Sequence, residues 1–342
     1  MGTAYRVGHH DREVGAPPAN GWLSFLLLYV VLVAFFAWYA SVEIRRYPVG
    51  ISAAASIYGS FVFLAALYLA PGFASVREWL RQRVRPAIAP VIFVLPYLLY
   101  AAGTRDFRWP ALAKLVLMCA VPLGLFAIAP VSNPRRINWQ DAVALLWLYV
   151  PVQFHLTSGI WTLPVNLDFM ARLFIVGVGA WSFLIVRGVE DAGYDFGLST
   201  TIVRDAAFSL AGYSFIAIPL GFAMRFIGWA PAFRGVPQFI ADYVTIFLFV
   251  AIAEELFFRG LLQNLLEGSI GSRYGAQAIV SVLFGLSHIQ HAPAPNWRYV
   301  IMATIAGWFY GMAYRKHRSL MASAGCHAMV DTLWRTFLTL PR

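Results

Sequence analysis

Apolar runs long enough to cross a bilayer, repeated from one end of this chain to the other, constrain its fold more than any motif does. Clear runs lie at 22–42, 51–74, 87–103, 111–131, 168–187, 205–227, 239–266, 276–291, 299–314 and 319–340, with a shorter one at 140–157. A helix needs about 20 mostly apolar residues to cross the hydrocarbon core. Hydrophobic residues make up 60% of the 342 and charged residues only 12%. A water-soluble domain has nowhere to place that surplus. Backbone groups in lipid must be satisfied internally, and long unbroken runs do this as helices rather than as a barrel. The expected fold is therefore all-α, a polytopic transmembrane helical bundle of about 10–11 spans. Aromatic residues, at 16%, suit the interfacial belts of such a bundle.

The first 20 residues are polar and carry Arg6, Asp11, Arg12 and Glu13. The span that follows is long and has no small-residue cleavage site after it, so it reads as an uncleaved anchor. The formal charge is +10, and of 26 basic residues only Lys114 and Lys316 are lysine. Basic groups gather between spans at Arg77, Arg81, Arg83 and Arg85, at Arg135 and Arg136, and at Arg315, Lys316 and Arg318. With about eleven spans these clusters fall on one side, which the positive-inside rule makes cytoplasmic, together with the N-terminus. Short basic loops beside anionic lipid account for the charge without a nucleic-acid partner. Cys119 and Cys326 both lie in expected spans and form neither a disulfide framework nor a metal-binding spacing.

The chain divides into a multi-span region at 1–190 and a second region at 191–342. Pro90, Pro96, Pro122 and Pro151 lie inside apolar runs of the first region, where proline predicts kinks. Asp141, Gln153 and His155 are isolated polar groups there, read as interfacial or helix-capping residues. A polar connector at 188–205 leads into the second region, where Ser199 or Thr200 is placed to cap the next helix. The segment HAPAPNW at 291–297 is a loop between two spans. There is no internal repeat.

Ionisable residues inside apolar runs concentrate in the last third of the chain. A charge in hydrocarbon costs several kcal/mol or more, so a membrane helix that keeps one has a use for it. In AIAEELFFRG, Glu255 and Arg259 stand at i and i+4 and pair on one face. Glu254 lies about 100° round the helix and is less easily neutralised. Among Phe249, Phe257 and Phe258 it would be partly desolvated, which suits a general base. In VLFGLSHIQH, His288 follows Phe284 by one turn, and His291 falls at the loop, where an interfacial role is expected. In GCHAMVDTLW, His327 and Asp331 stand at i and i+4. Cys326, next to His327, points about 100° away and makes no Cys/His nucleophile pair. Any one of these histidines could be an interhelical hydrogen-bond partner. Together, Glu254, His288, His327 and Asp331 could converge from three helices on one intramembrane pocket.

These residues resemble the motifs of the CPBP family, also called the Abi or CAAX-protease family. It includes the type II CAAX prenyl endopeptidases and bacterial proteins linked to bacteriocin processing or self-immunity. Its first motif, two glutamates, three residues and an arginine, is similar to Glu254-Glu255-Leu256-Phe257-Phe258-Arg259. Its second, Phe, three residues and His, is similar to Phe284 to His288. Its third, His, three residues and Asn or a similar polar residue, is similar to His327 to Asp331. DFGLS at 195–199 also looks like the lead-in to this domain. The resemblance covers about 196–341 and leaves the first region unexplained.

The resemblance implies an intramembrane endopeptidase in which Glu254 activates a water with help from His288. His327 and the residue at 331 would stabilise the oxyanion, and Glu255 with Arg259 would orient the first glutamate. An ionised Asp cannot donate a hydrogen bond. Asp331 would thus be protonated, orient His327, or bind a metal. The implied cofactor is none, with zinc as the alternative, since Glu254, His288, His327 and Asp331 are an N/O ligand set that suits zinc. The implied partners are the bilayer and a membrane-associated or lipid-modified protein substrate. The implied setting is a bacterial inner membrane. Two other classes compete: a non-proteolytic immunity or scaffold protein of the same fold, and a transporter or proton relay. The transporter would call for an inverted repeat, which the chain lacks.

Overall fold

A computed structural model describes residues 21–43, 47, 49–164 and 167–339. The polar N-terminal segment read above lies outside the described residues. The chain forms an all-α bundle. Its first region contains α1 (Trp22–Glu43), α2 (Ile51–Leu69), α3 (Ala74–Arg83), α4 (Ala89–Thr104), α5 (Trp109–Ile128), α6 (Trp139–Gln153) and α7 (Asp168–Ala180). The second contains α8 (Thr200–Ala223), a long interrupted helix made of α9 (Val236–Ile246), α10 (Ile252–Glu255) and α11 (Asn264–Ile270), then α12 (Arg273–Leu286), α13 (Trp297–His317) and α14 (Leu320–Phe337).

Every expected span has a helix, but among the described residues seven stretches are long and apolar enough to cross a membrane. The expected spans without that character are α6, α12, α13 and α14. The first two are 15 and 14 residues long. The last two are longer but end or break in charge, with Arg315 to His317 closing α13 and Asp331 and Arg335 inside α14. The protein is an integral membrane bundle, with fewer simple spans than hydropathy alone predicts.

Helix ends follow local chemistry. Ser199, Ser272, Asn296 and Ser319 each accept a backbone N–H at the start of α8, α12, α13 and α14. Each such cap contributes about 1 kcal/mol. Gly271 and Arg318 adopt left-handed backbones at the ends of α11 and α13. Asn138 and Asp141 form a reciprocal capping box at α6, so the capping role expected of Asp141 holds. Asp141 also pairs with buried Arg187, its two oxygens 3.0 and 3.1 Å from the guanidinium. Pro96, Pro122 and Pro151 lie inside α4, α5 and α6. Pro90 falls instead in the first turn of α4, where a missing N–H is harmless.

The helix from Val236 to Ile270 is not regular. Phe247–Ala251 and Leu256–Gln263 are π-helical, and α10 with its two glutamates sits between them. One large hydrophobic core runs from Phe61 and Leu64 of α2 through Phe174 of α7 to Leu256 and Ala328 of the second region. A smaller core gathers Tyr213, Phe258, Phe284 and Tyr310. A short antiparallel pairing, Gly228 with Thr339 and Trp229 with Leu338, ties the loop after α8 to the end of α14.

Candidate active site

Between the two cores lies a cavity of about 360 Å³. Glu254, His288, His327 and Asp331 all line it, so the expected convergence occurs. Glu254 comes from α10, His288 from the turn after α12, and His327 and Asp331 from α14.

Glu254 is 35% exposed, and its buried Oε2 has no hydrogen-bond partner among the described residues. Buried polar atoms without partners are rare, and those that occur call for a functional or solvent explanation. Glu255, one residue on, is fully buried. Arg259 Nε lies 3.2 Å from its Oε2, His327 Nδ1 lies 2.8 Å from its Oε1, and the Ser323 hydroxyl also bonds it. The expected pair with Arg259 is present. The group that Glu255 holds across the cavity wall is His327, 72 residues further on. Arg259 in turn donates from Nη2 to the Gly307 carbonyl of α13 at 2.8 Å and lies 4.6 Å over the Phe284 ring. At Gly307 a Cβ would stand 3.1 Å from that Nη2, a tight approach that glycine accommodates without displacing the guanidinium.

His327 connects three carboxylates. Its Nδ1 meets Glu255, while Nε2 lies 3.9 Å from Glu254 Oε2 and 3.6 Å from Asp331 Oδ2. Its ring stacks on Tyr310, with centroids 4.6 Å apart and planes 13° from parallel. His288 is held differently. Its Nδ1 lies 2.8 Å from the Phe284 carbonyl oxygen, which can only accept. Nδ1 therefore carries the proton, and Nε2 of the neutral ring is left as an acceptor.

Zinc needs three or four ligand atoms drawn together. Among the described residues no three His, Cys, Asp or Glu groups are arranged to hold a metal ion. The side-chain arrangement gives the zinc alternative no support, and no step below passes through a metal.

The cavity also contains residues that sequence reasoning did not single out. His291, assigned above to the membrane edge, lines it, as do Tyr213, Tyr299 and Tyr310. The two tyrosines of α13 share a face with Met302, Ala303 and Ala306, all lining residues. That i, i+3, i+4, i+7, i+11 spacing was the available signal. Arg172 of α7 lines the cavity from the first region, its Nη1 3.5 Å from the Phe249 carbonyl oxygen. Gln153, read as an isolated interfacial group, instead donates to the Ser287 carbonyl at 3.0 Å, beside His288.

Residues 236–333 match the family described as Type II CAAX prenyl endopeptidase Rce1-like. The matched segment contains Glu254, Glu255, Arg259, His288, His327 and Asp331, and the 235 residues before it lie outside the match. No curated protein and no solved structure matches the chain significantly. The cavity residues thus sit, in order and in one place, inside the segment that is similar to the CAAX prenyl endopeptidase family.

Proposed function

We propose that this protein is a glutamic-type intramembrane endopeptidase that hydrolyses a peptide bond of a membrane-associated or lipid-modified protein. The observation that carries this reading is the placement of Glu254. Its unpartnered oxygen faces His327 at 3.9 Å in a cavity that His288 also lines. A water between Glu254 and Nε2 of His288 loses a proton to Glu254 as its oxygen attacks the substrate carbonyl carbon. The carbonyl π pair moves to oxygen. His327, fixed by Glu255, donates from Nε2 to that oxyanion in its imidazolium form. When the tetrahedral intermediate collapses, the C–N bond breaks and Glu254 returns the proton to the leaving amine. A positioned base contributes about 10²–10⁴-fold. Fixed donors at the developing oxyanion contribute a comparable factor in a water-restricted site.

The proposed setting is a bacterial inner membrane with the N-terminus in the cytoplasm, which the basic inter-span clusters support. Residues 1–190 form a supporting region, and residues 191–342 hold the protease centre.

The test is cleavage of a prenylated peptide reporter ending in a CAAX sequence, with the purified protein in proteoliposomes. Glu254→Gln, His288→Ala and His327→Ala are each expected to lower turnover at least about 10²-fold while insertion is unchanged. Full cleavage by all three variants would overturn the assignment of these residues, whereas no cleavage by the wild-type protein would favour a non-proteolytic member of the fold. Chelation is expected to leave turnover unchanged. Loss on chelation with recovery on adding zinc would replace the metal-free mechanism.

A further inference from the structure

Asp331 leaves the proposed oxyanion site one donor short. An ionised carboxylate only accepts, so His327 would hold the oxyanion alone. The hydroxyl donors that line the cavity are three tyrosines, Tyr213 on α8 and Tyr299 and Tyr310 on α13. Among the described residues none of their hydroxyls has a hydrogen-bond partner.

Packing separates the three. Tyr310 is 2% exposed and lies flat on the His327 ring, which makes it a platform. Tyr213 is 7% exposed and wedged between Phe309 and Tyr310. Tyr299 is half-buried, with its ring 4.9 Å from His288 and 4.6 Å from His291. Glu254 and Asp331 are the two carboxylates that line the same cavity. The Tyr299 backbone is fixed as well, because its N–H donates to the capping side chain of Asn296 at 3.0 Å. A rigid aromatic residue in the first turn of α13 thus lines, with an unused O–H, the cavity that Glu254 and Asp331 also line.

We propose that Tyr299 is a catalytic residue whose hydroxyl donates the hydrogen bond to the oxyanion that Asp331 cannot. The inference rests on the proteolytic reading above. Tyr299 keeps its proton throughout, because Glu254 takes the water proton and later delivers it to the amine. Asp331 remains an acceptor beside His327 Nε2.

Tyr299→Phe keeps the ring contacts with His288 and His291 and removes only the donor. In proteoliposomes with the prenylated CAAX reporter, it is expected to lower kcat about 10²–10³-fold with little change in KM. Asp331→Asn supplies a neutral amide donor at the neighbouring position. In the Tyr299→Phe background it is expected to recover at least about tenfold in kcat. A purely structural tyrosine would not be rescued this way. Wild-type kcat in Tyr299→Phe would overturn the proposal. So would a loss that Asp331→Asn does not repair. Glu254→Gln, measured alongside, separates the two levels. If it stays fully active the Glu254-based mechanism on which the inference rests fails. If it is dead while Tyr299→Phe is unaffected, only the tyrosine proposal fails.

Discussion

Glu254 and Glu255 are chemically identical neighbours with opposite surroundings, and each environment predicts a different response to mutation. Glu255 has no exposed surface and three partners, Arg259, Ser323 and His327. Replacing it with Ala leaves the fully buried Arg259 without its counter-charge. Breaking a buried pair from one side costs about 3–5 kcal/mol. Thermal unfolding in detergent should therefore show a large destabilisation for Glu255→Ala. Glu254→Gln should unfold with wild-type stability, since its Oε2 already lacks a partner. The separation of these two roles was legible in the sequence, because i, i+4 spacing singles out Glu255 as the partner of Arg259. The partner on α14 was not legible. Nothing local to residue 255 encodes a contact with His327, 72 positions away.

Among the elements, α12 and α13 pack tightly at Gly285. A Cβ there would lie 2.0 Å from Thr304 Oγ1 and 2.6 Å from the Val300 carbonyl oxygen. Both are rigid neighbours, so Gly285→Ala must push the helices apart. His288 follows less than one turn later, and its Nδ1 bond to Phe284 O would shift with the helix end. Overpacking of this kind costs about 1–3 kcal/mol. Gly285→Ala is expected to lower both the unfolding temperature and reporter turnover, and Thr304→Ala in the same background to restore part of each. Helix existence and the cap at Ser199 were readable from apolar runs and residue type. The π-helical turns around α10 were not, since no Pro or Gly in Phe247–Ala251 announces a wider turn. The register of such a turn is set by what the helix packs against.

At the scale of the whole molecule, the first region is part of the site's support. The Tyr68 hydroxyl donates to the Leu248 carbonyl at 3.0 Å, just before α10, and the Tyr194 hydroxyl donates to the Tyr68 carbonyl at 2.7 Å. Tyr149 holds Gln153 at 2.9 Å, and Gln153 holds the Ser287 carbonyl next to His288. The larger core is continuous across residue 190. Expression of residues 191–342 alone is therefore expected to yield no monodisperse, active protein, measured by size-exclusion chromatography and reporter cleavage. Gln153→Ala in the full chain is the milder test. It should lower kcat several-fold without unfolding the protein, because one hydrogen bond contributes only about 1 kcal/mol.

By itself the sequence determined that this chain is a helical membrane protein, where its helices lie, and which polar residues in its last third share a helix face. Those properties depend on run length and on the 3.6-residue period, both of which act over a few turns. Only the tertiary structure decided that Glu255 orients His327, that Tyr299 and Arg172 line the same cavity, and that Gln153 reaches Ser287. These depend on which helices cross and how closely, and helix crossing is governed by packing of side chains far apart in the chain.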